Sequence, residues 1–561
     1  MSLIFNPSGL LDINTDPSDL GESGDGRTFV SQALTRAKNV DLISEGKSKT
    51  RKGTATNGTQ LAKAASRIEV VGSNRYEFAD TIIYRNGTSI ATGLNNAEWS
   101  SIQYNAFNDT TDNIFALNGT DLKRVEASSV YTWGIAAPTT DPVVSAGAAG
   151  SLSGAYLIKY TYVRKVGSVV VSESNPSDAS NSVTLSSQVL SFTFTDPTDS
   201  QVTHIRIYRT AAGGSTYKYD QEIALSVESG TSSQADSALG DTVATDHTTP
   251  PAGQFIKGPN YNGTCFMIKD NLLYYCLPKQ PEYWPATYFI EVSTLQFPGQ
   301  TIVFWNGQPY YLTKKEIYFI QGTAHPAFQP IKMDAKTGCQ GRQAAWAVDE
   351  DGIYHVGYDG LYLFRGGTDK KITERTLDPI FTGTSVNGIP AASTLTTSWL
   401  FEFKNKLYFG YQSSTDTAYP SNVLVMYLDS KKVVYYSYPF EIRTVQIDDY
   451  NDVFIAGCGD YYIRTLETGT QDSSTDISWE LQSKDFTLPT RAHFPRWIKY
   501  DIEVGGTVTG EIILDGTSLQ SHTITGSRNT KRRLIATDNG ERCSIKITGT
   551  GVSTVYGAEM E

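Results

Sequence analysis

Six histidines (His204, His247, His325, His355, His493 and His522) are the first residues to test for chemistry, and no two fall at a metal-ligand spacing. His355 alternates with Tyr354 and reads as an ordinary strand histidine. Two acidic runs resemble cation loops. Asp349-Glu350-Asp351-Gly352 lacks the alternating acids and distal glutamate of a calcium loop. Asp448-Asp449-Tyr450-Asn451-Asp452 offers oxygen ligands between two strands, but Asp and Asn are also what polar turns use. A glycosidase needs two carboxylates across one cleft, and nothing singles out such a pair among 59 acidic residues. The Ser-x-Asp-x-Gly-x-Thr-Trp repeat of sialidase propellers, a Gly-x-Ser-x-Gly elbow and a phosphate-binding Gly-rich loop are all missing. Five cysteines (Cys265, Cys276, Cys339, Cys458, Cys543) form no CxxC pair and read as core thiols. The expectation is therefore no catalytic residue, no cofactor and no metal site, hence no enzyme.

Two basic runs invite a nucleic-acid reading. Lys47-Ser48-Lys49-Thr50-Arg51-Lys52-Gly53 could touch phosphates; a solvated turn, or a pairing with an acidic neighbouring subunit, is the plainer account. Lys531-Arg532-Arg533 beside a strand has the same plain account. The chain as a whole carries 47 basic and 59 acidic residues, a net charge of −12, which is not the footprint of a sequence reader of DNA. The start lacks a secretory leader, and no run is long and apolar enough to span a bilayer. A soluble protein made in a cytosol is expected.

The elements that would position any site are strands. With 39% hydrophobic and 11% aromatic residues, 33 of them Tyr, the chain is rich enough in apolar surface to fold. One helix is predicted over Thr28–Asn39, where Phe29, Ala33, Leu34 and Ala37 recur at helical spacing. From Arg67 onward short β-rich runs alternate with Asn-Gly, Asp-Gly and Asp-Asn turns. Examples are Phe266-Met267-Ile268 turning at Asp270-Asn271 into Leu272-Leu273-Tyr274-Tyr275, and Ile302–Trp305 turning at Asn306-Gly307 into Pro309–Leu312. Such even, ring-bearing hairpins cue a β-propeller, although a series of linked sandwiches would give a similar rhythm. The Ala/Gly/Ser-rich run from Val144 to Gly154 suits a linker. Alternating strands follow it up to Thr248-Thr249-Pro250-Pro251 and suggest an inserted sandwich. The division expected is an N-terminal arm with a short helix (1–65), first propeller strands (66–135), an inserted sandwich (136–252), the remaining blades (253–470) and a C-terminal β-sandwich (471–561).

Three segments together resemble structural proteins of tailed bacteriophages. The opening Phe5-Asn6-Pro7-Ser8-Gly9-Leu10-Leu11-Asp12-Ile13-Asn14, then Ala37-Lys38-Asn39-Val40 and Arg51-Lys52-Gly53-Thr54, is similar to the start of phage tail proteins that precede a propeller. The block Tyr160–Val163, Glu173–Ser177 and His204–Thr210 is similar to fibronectin-III-like modules inserted in such proteins. The end, Ile547–Val552 and Val555–Glu561, is similar to their C-terminal sandwich. The resemblance implies an all-β virion protein: a tail nozzle (tubular or hub) subunit of a short-tailed phage. Such subunits form a ring, typically hexameric, below the head–tail adaptor, where fibres or spikes dock and double-stranded DNA passes without sequence recognition. A ring carrying sixfold the subunit's −12 would repel DNA wherever that acidity lined the lumen. Two other readings stay open: a glycan-binding adhesin using ring pairs such as Tyr310-Tyr311 or Tyr435-Tyr436, and a propeller glycosidase.

Overall fold

The computed structural model describes residues 2–24, 28–43, 46–105, 113–225, 227–487, 495–525, 528–534 and 540–561. The protein is all-β. Helical structure among the described residues is limited to the turns Asp236–Ala238 and Asp378–Phe381, and no helix is long and apolar enough to cross a membrane.

Seven four-stranded antiparallel units recur along the chain, the sixth continuing into a larger sheet. Six are built from four consecutive strands: sheet I spans 67–91, sheet II 100–132, sheet III 255–291, sheet IV 299–332, sheet V 345–371 and sheet VI 392–437. Turn chemistry sets their register. At Asn86-Gly87 and Asn306-Gly307 both residues have positive φ, as a two-residue hairpin whose twist matches its strands requires. Trp305 consequently faces Gln308, and across the Asp270-Asn271 turn Lys269 faces Leu272. The middle strands of sheet V, Gly352–Val356 and Leu361–Phe364, are buried at every position. A strand covered on both faces reads as an unbroken apolar run, and here sheets IV and VI flank it.

Sheet VII spans Ile442–Asp448, Val453–Cys458 and Ile463–Leu466, and takes its fourth strand, Ala55–Thr56, from the other end of the chain. The first strands of the seven sheets touch in cyclic order. Arg67–Val71 meets Ser100–Tyr104, contact then passes through sheets III, IV, V and VI in turn, and Ile442–Asp448 returns to Arg67–Val71.

Between sheets II and III lies a two-sheet unit. Val143–Tyr156, Val183–Thr193 and Ser229–Ser232 form one sheet; Ile158–Val166, Val169–Glu173, His204–Arg209 and Lys218–Ala224 form the other. Tyr160, Leu190, Phe192, Ile205 and Ile207 fill the space between them. The linker expected at Val144–Gly154 is instead the 14-residue strand Val143–Tyr156. Its small residues answer to packing: a Cβ on Gly147 or Gly150 would lie 2.6 or 2.7 Å from the Val189 side chain, where the pairing shifts register.

The helix expected over Thr28–Asn39 is also not formed. Thr28–Ser31 and Leu34–Lys38 are strands. Leu34–Lys38 lies between Val433–Ser437 of sheet VI and Ser478–Ser483, so backbone partners on both sides override a weak local preference for helix. Thr35 is buried and donates its hydroxyl to the Ser483 carbonyl at 2.9 Å. The arm thereby joins sheet VI to a C-terminal sheet holding Arg542–Thr550, Val508–Leu514 and Thr517–Ile524. Ser2–Phe5 pairs with Thr554–Met560, the last strand of the chain, in a second sheet with Trp497–Glu503. Burial alternates along Trp497–Glu503 and Val508–Leu514, so each strand turns one face to packed side chains.

Two cross-strand pairs use glycine as a seat for tryptophan: Trp399 opposite Gly410, and Trp479 opposite Gly549. A Cβ on Gly410 would come within 2.2 Å of the Trp399 ring, which is 1% exposed. Gly410→Ala is therefore expected to lower stability by about 1–3 kcal/mol through overpacking, read as a reduced thermal midpoint.

Candidate functional site

Two buried polar clusters lie where the N-terminal arm crosses sheets VI and VII. Arg51, at the end of strand Lys47–Thr50, is wholly buried and forks onto Asp472, with Nη1–Oδ1 at 3.0 Å and Nη2–Oδ2 at 2.6 Å. Its Nε donates to Asn39 Oδ1 at 3.0 Å, and its guanidinium lies 4.4 Å from the Tyr438 ring centre. A planar fork that keeps its charge suits a buried carboxylate, since each charge has few other ways to be solvated there.

A second cluster adjoins it. Asp41, on Val40–Ile43, accepts at Oδ1 from Lys406 Nζ (2.5 Å), the Tyr427 hydroxyl (2.7 Å) and the Tyr436 hydroxyl (2.6 Å). Glu467, at the end of sheet VII with φ of 54°, places Oε2 3.6 Å from the same Nζ. Its Oε1 is buried with no hydrogen-bond partner among the described residues. Burial raises Glu467 above the usual 4.5 despite Lys406. Burial opposes the charge on Asp41 as well, but Lys406 and the phenols outweigh it and hold that carboxyl below 3.8. A cavity of about 290 Å³ adjoins the cluster, with Lys52, Phe403, Asp452 and Phe454 in its walls.

A third cluster pins the inserted unit. Arg124 of sheet II, fully buried, pairs with Glu126 at 2.7 Å and with Glu282 at 3.2 Å, and Arg164 of the insert reaches the same two carboxylates at 3.0 and 3.5 Å. Gln201 links Arg124 to the carbonyls of Thr132 and Gly134. Burial of these charges is tolerable only because they are paired, and the shared carboxylates bridge sheet II to the two-sheet unit.

Two further cavities lie between the sheets. One of about 390 Å³ lies between sheets V and VI, with Leu363, Leu407, Phe409 and Met426 in its walls and Arg365 and Lys370 beside them. A smaller one, about 40 Å³, sits at the first strands between Arg67, Lys257 and Arg342. Burial, aided by Arg67, pushes the Lys257 ammonium down to about 8, and its Nζ stands 4.9 Å from the Trp346 ring centre.

No protein-family model matches this chain, and no curated protein does either. Its chemistry is therefore read from the residues alone. Among the described residues no group of three His, Cys, Asp or Glu is placed to hold a metal ion.

The residues singled out in the sequence are mostly structural. Asp351 binds Lys431 at 2.5 Å and the Tyr354 hydroxyl at 2.6 Å, so the first acidic run serves as an ion-pair partner. Asp448 accepts from the amides of Tyr450 and Asn451 and closes its own turn, while Asp452 pairs with Lys404 at 2.9 Å. In the first basic run Arg51 is spent on Asp472, and only Lys49 and Lys52 are exposed. Lys531 pairs with Glu561 at 3.2 Å. The ring pairs suggested for glycans must be corrected: Tyr310, Tyr311, Tyr435 and Tyr436 are all buried in the sheets. The five cysteines are buried thiols. His493 lies outside the described residues.

His355 is fully buried. Its Nδ1 stands 2.9 Å from the Gly338 carbonyl and its Nε2 3.6 Å from Asp369. Burial holds the imidazole below 6.5, outweighing the Gly338 carbonyl and Asp369. A depressed folded value means the unfolded chain binds the extra proton first, so stability is full above 6.5 and is lost as pH falls through the folded value. Denaturant midpoints of the wild type and His355→Phe, followed from neutral to acid pH, should show a steeper acid-side loss in the wild type.

The partners in these clusters were invisible to motif reading. Asp41 and Lys406 are 365 positions apart, and Arg51 and Asp472 are 421 apart. Only the Arg-x-Gly-Thr run around Arg51 carried any signal, through the family resemblance.

Proposed function

We propose that this chain is a structural virion protein, a subunit of a phage tail nozzle, and not an enzyme. In this reading the seven sheets are the blades of a β-propeller, the unit at 143–232 is a fibronectin-III-like insert, and the C-terminal sandwich carries the arm. Six copies form a ring below the head–tail adaptor, double-stranded DNA leaves through its lumen without sequence recognition, and fibres or spikes dock outside. The observation that carries the reading is the cyclic contact of the first strands, together with the last sheet's borrowing of Ala55–Thr56 from the N-terminal arm. A body closed by its own distant segment, with buried ion pairs fixing arm and insert, is stiff enough to bear load between neighbours.

Charge supports the same role. At −12 per subunit, acidic surface toward a lumen would keep DNA from sticking during passage. A ring also requires two different faces per subunit that repeat around an axis. Native mass spectrometry of the full chain, alone and with the adaptor, tests the proposal. Hexamers in either sample are expected; a monomer in both would overturn it.

A further inference from the structure

The cluster of Asp41, Lys406 and Glu467 has the parts of a bond-forming site. A primary amine touches a carboxylate, two hydroxyls converge on one oxygen of that carboxylate, and a second carboxyl reaches the amine. We propose that Lys406 Nζ and Asp41 Cγ condense into an intramolecular amide that ties the N-terminal arm covalently to sheet VI, with Glu467 relaying the proton.

The geometry assigns each atom a part. Asp41 Oδ1 already accepts from Tyr427 and Tyr436 at 2.7 and 2.6 Å, so these hydroxyls stand where negative charge develops when nitrogen adds to Cγ. Tyr427 is itself oriented, because its oxygen accepts the Leu42 amide at 2.9 Å. Asp41 Oδ2, the oxygen that leaves, does not share these donors.

The resting state is an ion pair. One proton first passes from Nζ to the Asp41 carboxyl, coming to rest on Oδ2, and gives amine and carboxylic acid with no net change of charge. The amine lone pair then attacks Cγ, forming the N–C bond and placing charge on Oδ1. Glu467 relays a second proton from nitrogen to Oδ2 and ends in the protonation state in which it began. The Cγ–Oδ2 bond breaks and water departs. The ammonium has lost two protons, the water has gained both, and nothing is oxidised or reduced.

Three features favour the step over an ordinary salt bridge. The amine is held against the carboxylate at Oδ1, 2.5 Å away, so no encounter has to be arranged. Rings of Phe403, Tyr408 and Phe454 line the adjoining cavity beside Lys52, Lys404 and Asp452, and the side chains of Asp41, Lys406 and Glu467 are themselves largely buried, so little water competes for the amine. Glu467 keeps one buried oxygen, Oε1, without a hydrogen-bond partner among the described residues.

The test is the intact mass of the denatured full-length chain, followed by peptide mapping. The wild type should weigh one water less than its sequence, and a protease digest should contain a branched peptide joining Asp41 to Lys406 that resists hydroxylamine. Asp41→Asn should give the same branched product with loss of ammonia from that side chain. Lys406→Arg and Glu467→Gln should keep the full sequence mass, and circular dichroism on each shows whether it has folded. A wild-type mass equal to the sequence mass after prolonged incubation would overturn the proposal. So would a water loss that hydroxylamine reverses, since that marks a succinimide at an aspartate. Bond formation in folded Glu467→Gln at the wild-type rate would remove Glu467 from the mechanism.

Discussion

Asp472→Ala should destabilise the protein by about 3–5 kcal/mol, because it leaves the Arg51 guanidinium buried and without its counter-ion. The Arg51 side chain has no exposed surface with which to recover water, and its remaining contacts are to Asn39, two carbonyls and the faces of Tyr436 and Tyr438. Arg51 stands four residues before the strand that completes sheet VII, so loss of the pair should also loosen that strand. Hydrogen exchange at Ala55 and Thr56 should rise well before global unfolding. The double replacement Arg51→Met with Asp472→Leu removes both charges and should recover much of the loss. Thermal midpoints of the single and double variants separate desolvation from packing; equal losses in all of them would assign the effect to packing.

Trp133→Ala should have a comparable effect, about 3–5 kcal/mol, as a large buried ring is removed and a cavity is left behind. Trp133 has no exposed surface, packs 5.1 Å from Phe115 and edge-on to Trp284 at 5.7 Å, and donates its indole N–H to the Pro281 carbonyl at 2.9 Å. It stands where the chain leaves sheet II for the insert, while Trp284 belongs to the segment that has returned. The ring therefore holds exit and return together, with Arg124 and Arg164 gripping Glu126 and Glu282 nearby. Limited proteolysis should cut the variant first around residues 134–142 and 233–254. Unchanged cleavage with a lowered midpoint would show that Trp133 stabilises the sheets without positioning the insert.

Much of the architecture was legible because hairpins are local. Asn306-Gly307 and Asp270-Asn271 fix both the turn and the pairing that follows, and the flanking rings mark what is buried. The same local reading failed for the helix expected over Thr28–Asn39 and the linker expected over Val144–Gly154. In the first, strands from distant parts of the sequence supply backbone partners that no short window contains. In the second, small residues that resemble a flexible spacer are required by close approach to Val189. The buried ion clusters were illegible for a related reason: each joins residues hundreds of positions apart, and an isolated Asp41 or Lys406 looks like any surface charge. The paired tyrosines mislead in the opposite direction, since adjacent rings in a strand covered on both faces both point into packed layers.

Electron microscopy of the purified full-length protein, mixed with the head–tail adaptor, tests the central claim most directly. The account predicts closed rings with a central hole wide enough for duplex DNA and radial subunits each bearing a disc of seven blades. Isolated, holeless particles under every adaptor ratio would contradict it.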